Sequence, residues 1–138
     1  MENLKQANND FLLQRSLDDL HTTSKKWLSQ IDFWKDELHF FQKLLDINAG
    51  KAIDQDQKKQ IDHFQNLIIY YSGELLDEYH QKVRRHEKKL ETLLLSVKEN
   101  EQAYREEHIT IHDEIESFEK QFQEYKRELF SFIESLQV

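Results

Sequence analysis

The chain has 138 residues, and its 19 Lys and Arg against 27 Asp and Glu give a formal net charge of -8 at pH 7. An acidic chain lacks the positive face that nucleic-acid and anionic-membrane binding need, so we expect neither partner. The sequence contains no Cys, which excludes disulfides, thiolate catalysis and cysteine-based metal sites.

The composition is typical of long helices. There is no Pro, there are two Gly, and 33% of the residues are charged. The length fits one domain, so we expect a flexible N-terminus over 1–8 and a single helical bundle over 9–138. The apolar run at 67–71 is far shorter than a bilayer span, and the first residues show no apolar signal segment. We therefore expect a soluble, cytoplasmic protein.

A first helix is predicted over about 9–48. Its stripe has heptad spacing once Ser24 is included, and consists of Leu20, Trp27, Ile31, Trp34, Leu38, Phe41 and Leu45. The helix is extended back to about residue 9 because the far half of the second helix needs an apolar cover. Phe11, Leu13, Leu17 and Leu20 can provide that cover. Asn48 and Gly50 then predict a tight turn.

A second helix is predicted over about 54–98. Asp54 and Gln57 have the spacing of a capping box at its start. Its stripe is Ile61, Phe64, Ile68, Tyr71, Leu75, Tyr79, Val83, His86, Leu90, Leu93 and Val97. The successive steps of four from Tyr71 to Val83 predict a local unwinding of the supercoil, and Gly73 within them indicates a slight kink or a close neighbour.

A third helix is predicted over about 102–136, and the fold class is all-α. Its uninterrupted stripe is Tyr104, His108, Ile111, Ile115, Phe118, Phe122, Tyr125, Leu129, Phe132 and Leu136. Two tight turns would give three long antiparallel helices in up-down-up order with coiled-coil-like heptad packing. Between the second and third helices, KENEQ at 98–102 contains only Asn100 as a breaker. The alternative is one helix of about 80 residues that pairs only in an oligomer.

The antiparallel order predicts what lies at the same height on neighbouring helices. The basic stretch at 82–89 falls opposite the acidic stretch at 112–119, so we interpret it as a pairing device rather than an anion site. Near the first turn we expect an aromatic core of Trp34, Phe41, Phe64, Tyr71, Tyr125 and Phe132.

Several large apolar residues fall outside these stripes. They are Phe33, Phe40, Leu44, Leu67 and Phe130. Such residues either widen the internal face of a helix or form an exposed patch that binds a partner. We take them as interface candidates and expect a homo-oligomer, most simply a two-fold dimer.

The sequence contains seven His, and two of them replace apolar residues within a stripe. These are His86 and His108. His112 follows His108 at the i, i+4 spacing with which a helix chelates a metal. In the predicted antiparallel order, His112 and Asp19 lie at about the same height as His86. These four residues are the metal-site candidates, for a single divalent ion if any cofactor binds. The alternatives are a buried His that is hydrogen-bonded to a neighbouring Glu, Tyr or backbone group, with a carboxylate favoured, and a pH-sensitive packing switch.

No pattern in the sequence names a reaction. Its Ser residues lack a nucleophile elbow, and no Gly-rich loop could hold a phosphate, so we expect no enzyme. The favoured function is a protein–protein interaction or structural module that self-associates. The alternatives are a metal-binding bundle that uses inward His and a carboxylate, and a segment of a larger coiled-coil assembly.

Overall fold

A computed structural model describes residues 16–95 and 101–137, where every regular element is helical. Helix α1 spans Leu17–Asn48, and a 3-10 turn follows over Ala49–Lys51. A continuous second helix consists of α2 (Gln55–Tyr70), a π-helical segment (Tyr71–Leu75) and α3 (Leu76–Leu95). Helix α4 spans Glu101–Ser135. The predicted all-α helical bundle is confirmed, while predicted helix residues 9–15 and most of the 98–102 segment lie outside the described residues.

None of the helices in the described ranges is both long enough and apolar enough to cross a bilayer.

The helices divide between two compact units. The first, called here the histidine unit, contains the described residues up to Gln30 together with Tyr79–Ser117. The second, called the aromatic unit, contains Ile31–Glu78 and the residues from Phe118 onward. Each unit therefore takes one segment from α1, one from the second helix and one from α4. The single domain over 9–138 and the up-down-up order of the whole chain stay predictions.

The predicted apolar stripes of α1 and α4 are confirmed. Every stripe residue of α1, from Leu20 through Ser24 to Leu45, is buried. The same is true of every stripe residue of α4, from Tyr104 to Leu136. A strict three-four alternation keeps these residues on one face of each helix, and burial of that face supplies most of a helix's stability.

In the histidine unit, an apolar cluster joins all three helix segments. Leu20, Leu90 and Tyr104 are buried together, and Leu17 and Leu93 pack against them. Leu17 and Leu20 thus provide part of the cover predicted for the second helix, whereas Phe11 and Leu13 lie outside the described residues.

Charged pairs in the same unit link α3 and α4. Lys82 Nζ lies 3.0 Å from Glu114 Oε2, and Lys89 Nζ lies 2.5 Å from Glu107 Oε2. As the residue number rises along α3 it falls along α4, which is the sense of an antiparallel pair. The Lys82–Glu114 contact is one of the basic-to-acidic pairs that the sequence predicted.

The aromatic unit has the predicted aromatic core. The ring of Tyr125 lies 5.6 Å from that of Phe64 and 5.7 Å from that of Tyr71, both edge-on. The Tyr125 hydroxyl donates a hydrogen bond to the Phe64 carbonyl (3.1 Å), so this buried polar group has a partner. Burial raises the pKa of the Tyr125 hydroxyl far above its usual value.

The first turn follows local signals closely. Asp54 and Gln57 form the predicted capping box, with each side chain bonded to the backbone of the other. Before the turn, Asn48 Nδ2 donates to the Leu44 carbonyl at 2.8 Å, which ties the Asn48 side chain to the last turn of α1. Gly50 does not take a positive φ, so the turn uses the Asn48 side chain and the 3-10 segment rather than a left-handed glycine.

The second stripe is only partly confirmed, because Leu75, Tyr79 and Leu93 are half-buried and Val97 lies outside the described residues. Leu76 is fully buried, while the predicted core residue Leu75 is only half-buried. The cause is the π-helical segment, whose wider turn adds one residue to the helix and makes the step from Tyr71 to the next buried residue five instead of four. Nothing lies within 4 Å of a Cβ built on Gly73, so no close neighbour explains this glycine.

Candidate functional site

A pair of histidines lies in the core of the histidine unit. His86 on α3 and His108 on α4 have 0% and 1% of their surface exposed. His86 Nε2 lies 3.0 Å from His108 Nδ1, and His86 Nδ1 lies 2.7 Å from Glu107 Oε1. Both ring nitrogens of His86 are therefore within hydrogen-bond distance of a partner.

The carboxylate of Glu107 sets the direction of this hydrogen-bond chain. Burial alone would raise the pKa of Glu107, but hydrogen bonds from Lys89 and His86 bring that pKa below its usual value. Glu107 is then ionised and accepts the Nδ1–H of His86. A neutral imidazole carries one N–H, so His86 Nε2 accepts and His108 Nδ1–H donates.

Aromatic rings enclose the histidine pair on two sides. The ring of Tyr104 stacks parallel to that of His86, with centroids 4.1 Å apart and planes within 1°. The ring of Trp27, from α1, lies 4.4 Å from that of His108. Burial raises the pKa of the Tyr104 hydroxyl, and nearby Ser24 partly opposes this rise. The pair thus lies in an environment of low polarity.

That environment disfavours a charge on the pair. Burial lowers the pKa of His86, and the hydrogen bond and charge of Glu107 only partly offset this effect. Protonation of both rings would also place two N–H groups against each other across 3.0 Å. The arrangement therefore favours a neutral His86 ring at pH 7, and its central hydrogen bond is lost if both rings become cations.

The four metal-site candidates do not all come together. His86 and His108 are in contact, but His112 Nε2 lies 3.3 Å from Glu116 Oε1 on its own helix. His112 Nδ1 lies 3.4 Å from Asp113 Oδ1, and Asp19 is exposed in the first turn of α1. Over residues 16–95 and 101–137, no group of three or more His, Asp or Glu side chains could hold a metal ion.

Glu107 was not among the predicted site residues, because two tight turns would place His86 level with residue 114. In the structure His86 is level with His108, about one and a half turns away from that position. That predicted level requires a tight turn centred near Asn100, in a segment outside the described residues. The signal that could have identified Glu107 is its place beside His108 and one turn from the predicted stripe residue Tyr104.

A second candidate site lies in the aromatic unit, on the surface of α1. Phe33 and Phe40 are each 58% exposed, and Ile47, which the sequence argument did not select, is 75% exposed. They follow one another at seven-residue intervals. Leu44 is half-buried and completes this line, which we call the outer stripe: Phe33, Glu37, Phe40, Leu44 and Ile47.

Helix α4 borders the outer stripe. Lys126 Nζ lies 3.1 Å from Glu37 Oε2, and one turn further along α4 Phe130 is 48% exposed. The ring of Phe130 packs edge-on against Phe41 at 5.5 Å. Phe33, Phe40, Leu44 and Phe130 thus belong to one surface, whereas Leu67 is half-buried on α2.

Comparison with known proteins does not assign either site to a family, since the chain matches no protein-family model, no curated protein and no solved structure.

Proposed function

We propose that this protein is a non-enzymatic helical interaction module that self-associates through the outer stripe of α1. The observation that carries the proposal is the heptad spacing of Phe33, Phe40 and Ile47 on an exposed face. Heptad-spaced apolar residues are the pattern with which a helix packs against another helix. Here α1 carries two such patterns, and the first is already used by the core.

The size of the surface agrees with this function. Phe33, Phe40, Ile47 and Phe130 each leave about half or more of their surface exposed, or roughly 100 Å² apiece. An apolar patch of about 400 Å² is at the size that marks interaction sites on monomers. Two such patches facing each other, with their polar borders, would bury about 1,000 Å² or more in total, at the lower end of specific interfaces.

One observation supports the alternative of a metal-binding bundle. His86 Nε2 and His108 Nδ1 face each other at 3.0 Å, and Glu107 could orient His86 in the way that carboxylates orient metal-bound His. A metal ion would need further ligands. Metal analysis of tag-free protein, repeated with His86→Ala and His108→Ala, tests the alternative: stoichiometric metal that disappears in the variants would support it, and metal-free native protein would reject it.

Sedimentation equilibrium over a concentration series up to about 100 µM tests self-association, because an interface of this size can be as weak as micromolar. We expect a monomer–dimer equilibrium for the native chain. Phe40→Glu places a charge at the centre of the outer stripe and should give a monomer. Its helicity should not change, because Phe40 is 58% exposed in the described structure.

Ile69→Glu is the matched control. Ile69 is 64% exposed on α2, so this variant adds the same charge at an apolar residue outside the outer stripe, and it should dimerise like the native chain. A native chain that stays monomeric throughout the series would reject the proposed function. Equal weakening by both variants would show that association does not depend on this surface.

A further inference from the structure

The outer stripe has charged residues at regular positions beside it. Asp36 and Lys43 are exposed, lie one heptad apart and directly precede the stripe residues Glu37 and Leu44. In heptad terms both occupy the border position that sets orientation and partner choice in coiled coils. The corresponding positions on the other border of the stripe are filled by core residues, among them Trp34 and Phe41.

We propose, on the basis of the proposed function, that the partner is a second copy of this chain whose α1 packs antiparallel against the outer stripe. Asp36 of each copy then pairs with Lys43 of the other. The two-fold axis passes close to residues 38 and 39, so each copy contributes the same pair once. Phe33 of one copy packs on Leu44 of the other, and the two Phe40 side chains lie on either side of the axis.

Charge complementarity distinguishes this arrangement from a parallel one. In a parallel pair, Asp36 lies at the height of Asp36 and Lys43 at the height of Lys43. The border positions that could supply opposite charges are occupied by the buried residues Phe41 and Asn48. In the antiparallel pair each charge lies within about 3 Å, along the helix axis, of its opposite. An antiparallel shift by one heptad would bring the two Lys43 residues together, so the charges also select the register.

The acidic residue within the stripe is already neutralised. Glu37 lies between Phe33 and Phe40, where a bare carboxylate would oppose apolar contact with a second helix. Its ion pair with Lys126, at 3.1 Å, removes that obstacle within each copy. Lys126 also lies over the Phe122 ring, 4.7 Å from its centroid, which holds the ammonium group in place.

A charge exchange tests the arrangement. Asp36→Lys alone and Lys43→Asp alone each convert both intermolecular pairs to like charges, so each variant should dimerise about tenfold or more weakly than the native chain at low salt. An equimolar mixture of the two variants should form heterodimers, because each copy then meets opposite charges at both pairs. The double variant D36K/K43D should regain native affinity.

Spin labels give an independent measure of direction. The chain has no Cys, so Gly50→Cys creates a single labelling site, and nothing lies within 4 Å of a Cβ added there. In the antiparallel dimer the two labelled backbones are about 35 Å apart at 1.5 Å per residue. In a parallel dimer they are separated by about one interhelical distance of 10 Å plus the label arms.

The outcomes separate the arrangement from the proposed function. Heterodimers of the two single variants, recovery in D36K/K43D and the long label distance together support the antiparallel dimer. A native dimer that Phe40→Glu disrupts, but whose affinity neither charge variant changes or whose labels are close, overturns the arrangement and leaves self-association standing. A monomeric native chain overturns both.

Discussion

The two units use the same heptad spacing but different chemistry. The core of the aromatic unit consists mainly of apolar side chains, and its Tyr125 hydroxyl bonds to a backbone carbonyl. The histidine unit places His86, His108 and Ser24 at equivalent core positions. Apolar rings gain free energy from burial in any close packing, whereas buried polar groups gain it only with particular partners. The aromatic unit should therefore respond to lost volume, and the histidine unit to protonation of its rings or to the loss of a hydrogen-bond partner.

The largest effect is expected from Phe122→Ala in the aromatic unit. Phe122 is fully buried, and the rings of Phe118 and Tyr125 lie 5.4 Å and 6.1 Å from it. Removing the ring leaves a cavity between rigid neighbours, so we expect the free energy of unfolding to fall by about 3–5 kcal/mol. Urea unfolding followed by circular dichroism measures it.

Ile69→Ala is the control for that experiment, since it removes a large side chain that is 64% exposed. We expect it to cost less than about 1 kcal/mol. If Phe122→Ala lowers the free energy of unfolding by no more than the control does, the aromatic rings do not form a cooperative core. The aromatic unit would then not be the unit that responds to lost volume.

The second effect is a loss of stability in mild acid that depends on His86. Burial lowers the pKa of His86 in the folded chain below its ordinary value of 6.5. The unfolded chain therefore binds a proton at His86 more readily than the folded chain does. The contribution of the neutral His86 ring to the free energy of unfolding is complete above pH 6.5 and is lost as the pH falls below that value. We expect the free energy of unfolding of the native chain to fall as the pH is lowered from about 7.5 to about 5.

His86→Gln should reduce this pH dependence, because it removes the titrating group but keeps a hydrogen-bonding side chain. The control is His63→Gln on the exposed face of α2, which should keep the native dependence. Glu107 does not confuse the result, since its lowered pKa affects stability only below its ordinary value of 4.5. An unchanged pH dependence in His86→Gln would show that the buried pair is not the acid-sensitive element.

The smallest effect is expected from Gly73→Ala in the π-helical segment, where stability should increase. A Cβ at this position meets nothing within 4 Å, and Gly73 does not have a positive φ. Alanine lowers the conformational entropy of the unfolded chain, so we expect a gain of about 0.5–1 kcal/mol and a melting temperature a few degrees higher. A lower melting temperature would show that the wider turn depends on glycine.

Most of the fold could be predicted from the sequence, because heptad spacing reports helix phase directly. The stripes of α1 and α4 and the capping box at Asp54 are such local patterns. The shift of burial from Leu75 to Leu76 could not be predicted, because steps of four are compatible with both a stutter and a π-helical turn. The partner of His86 was also missed, since relative height depends on the length of a turn rather than on phase.

The candidate surface was partly predictable for the same reason. Phase alone placed Phe33 and Phe40 outside the core stripe, and it could equally have selected Ile47, seven residues beyond Phe40. The role of Lys126 beside Glu37 required the structure, because the two residues are 89 positions apart in the sequence.

The hydrogen-bond chain that begins at Glu107 fixes the tautomers and ring orientations of its two histidines as well as their positions. A neutral imidazole can exist as two tautomers and can be turned over by half a rotation, so two buried rings have many states with nearly equal packing. One ionised carboxylate at the edge of the core removes this degeneracy, because only one arrangement of hydrogens satisfies both contacts of His86. Glu107 therefore selects the tautomer of His86 directly and, through His86, the ring nitrogen that His108 presents to it.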